Sequence, residues 1–94
     1  MANRKLIGEW AVVTGASSGI GLEFTRQLAA MGANVLMISN QAEALAQCSA
    51  EIAKANGVET AILCVDLATA EAVDEVMAAI GKLPKVPILL VNNA

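Results

Sequence analysis

The sequence predicts an α/β fold, a doubly wound parallel sheet with helices on both faces, and three observations carry that expectation. Short apolar runs alternate with segments of helical spacing along the whole chain, in the order β-α-β-α-β-α-β. The apolar runs are continuous rather than alternating, which is the pattern of strands covered on both faces. A glycine-rich turn, Thr14-Gly15-Ala16-Ser17-Ser18-Gly19-Ile20-Gly21, stands between the first run and the first helical segment. Strands joined through helices lie parallel with right-handed crossovers, so the helices divide between the two faces of the sheet.

Each element has its own warrant. Residues 10–14 form the first strand, with β-branched Val12 and Val13. The helix after the glycine turn runs to about Met31, with Ile20, Phe24, Leu28 and Met31 as its expected buried stripe, and Gly32 ends it. Residues 33–39 form the second strand, closed by Ser39-Asn40. A second helix spans about 41–56, with Leu45, Cys48, Ile52 and Ala55 on its apolar face, Glu43 as a solvated surface charge and Asn56-Gly57 at its end. The third strand covers about 59–65 and finishes on Asp66-Leu67. Thr69 is the expected N-cap of a third helix, with Glu71 in its first turn and Val73, Val76, Met77 and Ile80 as its stripe. Gly81 and Pro84 end that helix. Pro87 opens the fourth strand, Ile88–Val91, which runs into Asn92-Asn93-Ala94.

Composition narrows the function. The 94 residues make a single segment, 1–94, and 56% hydrophobic with 16% charged residues describes a packed core, not a disordered chain. The net charge is −3, the basic residues are scattered, and one Trp and one Phe leave little to stack on bases, so nucleic-acid binding is excluded as a reading. No signal peptide or membrane span is read, and a cytoplasmic location is expected. Cys48 and Cys64 lie far apart in a chain without His, so no metal site is expected, and both are read as buried free thiols.

The glycine turn is where the chemistry starts. A helix N-terminus presents unpaired N–H groups and the positive end of its dipole, and glycines let a ligand approach the backbone closely. The spacing here is T-G-x-x-x-G-x-G; Gly21 is followed by Leu22-Glu23, which lacks the Lys-Ser/Thr of a P-loop. The acidic end of the second strand that usually accompanies a methyltransferase loop is also absent. Asp66-Leu67 ends the third strand and Asn-Asn-Ala ends the fourth. Together these motifs resemble the N-terminal half of the classical short-chain dehydrogenases/reductases, over about Glu9–Ala94, and so imply a Rossmann-like sheet.

The resemblance implies a role for each matching residue. Gly15, Ala16, Ser17 and Ser18 would form the turn under the adenosine side of a nicotinamide dinucleotide. Gly19, Ile20 and Gly21 would start the helix that meets the pyrophosphate. Asp66 would bond the adenine amino group with the Leu67 backbone beside it, and Asn93 would contact the adenine ribose region, while Asn92 would brace neighbouring strands. Ser39 and Asn40 occupy the place where an acid marks NAD and a base marks NADP. Neither is charged, and the missing acid removes the repulsion that excludes a 2′-phosphate, so NADP(H) is favoured over NAD(H), held by Ser39, Asn40 and Ser18. The stretches Gly8–Val13 and Val35–Ser39 are similar to the 3-oxoacyl and 17β-hydroxysteroid reductase branch.

The same resemblance defines what is missing. The family's general acid/base is a Tyr in a Tyr-x-x-x-Lys motif, and this chain has no Tyr and no His. No catalytic residue is therefore assigned. The expectation is an N-terminal cofactor-binding half, truncated after the fourth strand, without the C-terminal catalytic half and inactive alone. The fourth strand would then be an apolar edge, expected to self-associate along 86–92 or to pair with a C-terminal piece. A stand-alone nucleotide-binding module and a ligand-free folding or assembly remnant are the other readings open at this point.

Overall fold

The computed structural model describes residues 4–93. Seven elements follow in order: β1 (Trp10–Thr14), α1 (Gly19–Ala30), β2 (Asn34–Ser39), α2 (Ala42–Asn56), β3 (Thr60–Cys64), α3 (Ala72–Gly81) and β4 (Leu89–Val91). The strands are all parallel, in the order β3-β2-β1-β4. The register sets Val12 beside Leu36 and Leu90, and Met37 beside Ile62. The expected doubly wound Rossmann-like sheet is therefore the fold.

Residues of β1 and β2 alternate between two cores. Ala11, Val13, Val35 and Met37 point to the side of α1 and α2, where they pack with Ala16, Leu28, Ala29, Ala33, Leu45 and Ile52. Val12, Leu36 and Ile38 point to the other side, against Val65, Ala72 and the half-buried Val76, Ala79, Ile80 and Leu83 around α3. Both faces of the central pair are covered, which is why their sequences run apolar without a break.

The helices seat themselves differently from the expected stripes. Helix α1 buries Gly21, Thr25, Leu28 and Ala29, while Ile20 and Phe24 are exposed and Met31 is half-buried. Small residues let α1 lie close on the sheet, and the Thr25 hydroxyl satisfies itself by donating to the Gly21 carbonyl at 2.8 Å. Close approach won over bulk. On α2, Leu45 and Ile52 are buried as expected, but Ala55 is exposed, and Ser49 is buried through a 2.6 Å hydroxyl contact with Thr60. Gly57 closes the helix in the left-handed conformation, φ 64°.

Thr69 does not cap α3. Its hydroxyl donates to the Asp66 carbonyl at 2.9 Å, forming a turn, and α3 starts only at Ala72 with Glu71 in the cap position. The first-turn acids are Asp74 and Glu75. Val73 and Met77 are exposed, because α3 rests on the sheet through Ala72, Val76, Ala79 and Ile80. Pro87 precedes β4 rather than beginning it, and the Ile88 N–H already donates to the Trp10 carbonyl at 2.9 Å. Cys48 is half-buried and Cys64 is exposed, against the expectation of two buried thiols; Cys64 ends β3, which stands at one end of the strand order among the described residues.

Candidate functional site: a cleft at the C-terminal ends of the strands

The C-terminal ends of β1, β2, β3 and β4 converge on an open cleft of about 370 Å³. This is where open α/β sheets take ligands, at the point where strand order reverses beside β1. Of the residues singled out from sequence, Gly15, Ser17, Ser18, Ser39, Asn40, Asp66, Leu67 and Asn93 line the cleft. Four do not. Ala16 is wholly buried in the core below the turn, Gly21 is buried, and Gly19 and Ile20 stand exposed at the start of α1. Gln41, Val65 and Ala68 line it as well, each next to a predicted residue in the chain.

The turn over β1 is held by contacts that need glycine. Gly15 has φ 62°, and a Cβ there would strike the Asn93 carbonyl. A Cβ on Gly21 would strike the Gly15 carbonyl and the Asn93 side-chain amide. The two glycines and Asn93 thus form one close-packed corner. Thr14 ties it together: its hydroxyl accepts the Asn93 N–H at 2.8 Å and faces the Asn92 amide oxygen at 3.2 Å.

The electrostatics of this corner suit an anion. Ser18 occupies the N-cap of α1 in an extended conformation and makes no side-chain cap bond, and no acid stands in the first turn. Helix α2 carries Glu43 in its first turn, and α3 carries Asp74 and Glu75. Among the helices of the described residues, the positive end of α1 is thus the one left uncompensated by its own carboxylates.

The β2 end is more constrained than its sequence suggests. The Ser39 hydroxyl lies 2.7 Å from that of Ser17 and accepts the Gln41 N–H at 3.1 Å, and both serines are buried. Ser39 is therefore a brace between β2 and the glycine turn, while Ser18 and Asn40 are exposed. The Cys48 thiol supports the same turn from α2, donating to the Ser17 carbonyl at 3.8 Å. Across the cleft, one Asp66 carboxylate oxygen accepts the Ala68 N–H at 2.9 Å, which shapes the loop after β3. Among the described residues no group of His, Cys, Asp and Glu could hold a metal ion, and no helix is long and apolar enough to cross a membrane.

This geometry has known counterparts. The family model for short chain dehydrogenases matches residues 9–94. The chain belongs to the short-chain dehydrogenase family. It is 41% identical over 87 residues to a very-long-chain 3-oxoacyl-CoA reductase of Yarrowia lipolytica, covering 90% of this chain and 22% of that protein. It is 40% identical over 87 residues to the human very-long-chain 3-oxoacyl-CoA reductase, covering 93% of this chain and 27% of that protein. Among solved structures, the L-sorbose reductase of Gluconobacter frateurii complexed with NADPH and L-sorbose superposes with a TM-score of 0.91 at 34% identity, over 98% of this chain and 35% of that one. The chain thus spans about a quarter of the length of these curated relatives and about a third of that structure.

Proposed function

We propose that this chain is the dinucleotide-binding portion of an oxidoreductase that moves hydride between NADP(H) and a carbonyl or alcohol substrate, of the 3-oxoacyl type. The observation that carries the reading is the meeting of Ser18, the N-cap of α1, with Asn40, Asp66 and Asn93 around one cleft. The very-long-chain 3-oxoacyl-CoA reductases among its relatives support the substrate class, and the NADPH complex of the sorbose reductase supports the cofactor.

When bound, the dinucleotide supplies the hydride. The residues of this chain hold and orient it. The free N–H groups at the start of α1 receive the pyrophosphate, and the Gly15–Gly21 contact lets it approach the backbone. Asp66 and the Leu67 backbone receive the adenine, and Asn93 positions the ribose region. The Ser18 hydroxyl and the Asn40 amide are the exposed donors for a 2′-phosphate, with Ser39 holding the β2 end in place. With neither Tyr nor His, these 94 residues bind the cofactor without turning it over. In the same reading the open edge at 86–92 pairs with a further strand.

Calorimetric titration with NADPH and NADH tests the cofactor assignment. NADPH is expected to bind more tightly. Asn40→Asp places an acid where the 2′-phosphate would sit and is expected to weaken NADPH by about tenfold or more, with NADH little changed. Tighter binding of NADH to the unaltered chain overturns the NADP(H) preference, and binding of neither overturns the dinucleotide reading.

A further inference from the structure

We infer that Ser39 is a positioning residue: its buried hydroxyl fixes and polarises the hydroxyl of Ser17, and through that donor the cleft favours a 2′-phosphate over a 2′-hydroxyl. The inference deepens the dinucleotide reading above and rests on it. It goes beyond that reading by giving Ser39 a part in cofactor choice that is exerted through Ser17 alone.

A serine hydroxyl has one proton to give and two lone pairs. The Ser17 and Ser39 hydroxyls lie 2.7 Å apart, so one of their two protons is spent between them. The Gln41 N–H, 3.1 Å from the Ser39 oxygen, selects which one. An oxygen that already accepts a bond is the better donor in its turn, because successive hydrogen bonds polarise one another. Ser39 therefore donates to Ser17, and the proton left over is that of Ser17. Among the described residues the Ser17 hydroxyl has no other hydrogen-bond partner. Ser17 is 8% exposed and Ser39 7%, and both line the cleft. The relay from Gln41 through Ser39 thus ends at the cleft on one buried hydroxyl with a proton to offer. The Cys48 thiol steadies the same residue from α2 through the Ser17 carbonyl.

A second hydroxyl pair in the same molecule makes the contrast. Ser49 on α2 and Thr60 on β3 lie 2.6 Å apart, and the Thr60 hydroxyl donates onward to the Ser49 carbonyl at 3.3 Å. Both protons of that pair are spent within the fold, and neither residue lines the cleft. It ties a helix to a strand and has nothing to offer a ligand. The spare Ser17 proton does, and the two dinucleotides use it unequally. A 2′-phosphate is ionised and accepts, and a hydrogen bond to an ionised acceptor is roughly twice as strong as one between neutral groups. A 2′-hydroxyl takes the same proton as a neutral acceptor. Among the described residues no Lys or Arg lines the cleft, so neutral donors decide how firmly the phosphate is held.

Calorimetric titration of the full chain with NADPH and with NADH is the test, and the ratio of the two affinities is the readout. Circular dichroism confirms that each variant is folded. Ser17→Ala is expected to lower the NADPH-to-NADH ratio by about tenfold, and Ser39→Ala by about threefold. Ser39→Thr keeps the hydroxyl and is expected to restore the ratio. The double variant is expected to match Ser17→Ala, because Ser39 acts only through Ser17. Ser49→Ala is expected to lower the urea midpoint and leave the ratio unchanged. Should Ser39→Ala fail to fold, Ser39→Cys fills the same space with a weaker donor and is read in its place. Binding of both dinucleotides with a ratio that neither serine variant moves overturns the inference and leaves the dinucleotide reading standing. Effects that add in the double variant, or an equal shift from Ser49→Ala, overturn it as well. Binding of neither dinucleotide to the unaltered chain overturns the dinucleotide reading and the inference with it.

Discussion

The two faces of the sheet are built to different degrees. On the α1/α2 face, Leu28, Ala29, Leu45 and Ile52 are all buried against the strands, and the two helices also share a groove with each other. On the α3 face the helix contributes one fully buried residue, Ala72, and its remaining contacts, Val76, Ala79 and Ile80, are half-buried. The difference teaches where the stability of this chain resides. The strand–helix–strand–helix–strand unit from β1 to β3 closes one complete layer. Among the described residues the second layer is the ten-residue helix α3. The cleft draws its walls from both, but the glycine corner at the start of α1 stands on the α1/α2 side.

Substitutions should expose the contrast. Leu45→Ala removes a side chain with no solvent exposure from the complete face, and is expected to cost about 3 kcal/mol in urea unfolding. A cost under about 1 kcal/mol would show that this face is no better packed than the other. Val76→Ala on α3 removes two methyl groups from a half-buried position, and about 1 kcal/mol is expected from the same measurement. The smallest effect needs no substitution. In native-state hydrogen exchange, the interior amides of α3 should exchange about tenfold or more faster than those of α2, through local opening of the thinner layer. Equal protection in the two helices would remove the distinction.

Much of this architecture was legible in the sequence. The strand, glycine turn and helix around Gly15, the strand-end Asp66 and the Asn93 that meets the glycines all lie where spacing put them. What was not legible has a common physical origin. Apolar spacing on α1 pointed to Ile20 and Phe24, yet the helix sits on Gly21, Thr25 and Ala29, since small residues allow the closest seat on the sheet. On α3 the seat runs through Ala72, Val76, Ala79 and Ile80, which leaves Val73 and Met77 exposed. At the site, Ser39 read as a free donor because nothing in a sequence shows that Ser17 will stand 2.7 Å away. Gln41 was passed over for the same reason: its place in the cleft follows from the turn its N–H makes with Ser39.

The Thr14 hydroxyl that receives the Asn93 N–H spans 79 residues of chain. On a ribosome adding about 5–20 residues per second, roughly 4–16 s pass between the synthesis of the two partners. During that interval β1 and β2 can pair and α1 can settle, but the side of β1 that will meet β4 stays bare. The glycine corner is thus the last part of the cleft to set. Until then the backbone edge of Ala11, Val12 and Val13 waits for its partners Leu89, Leu90 and Val91.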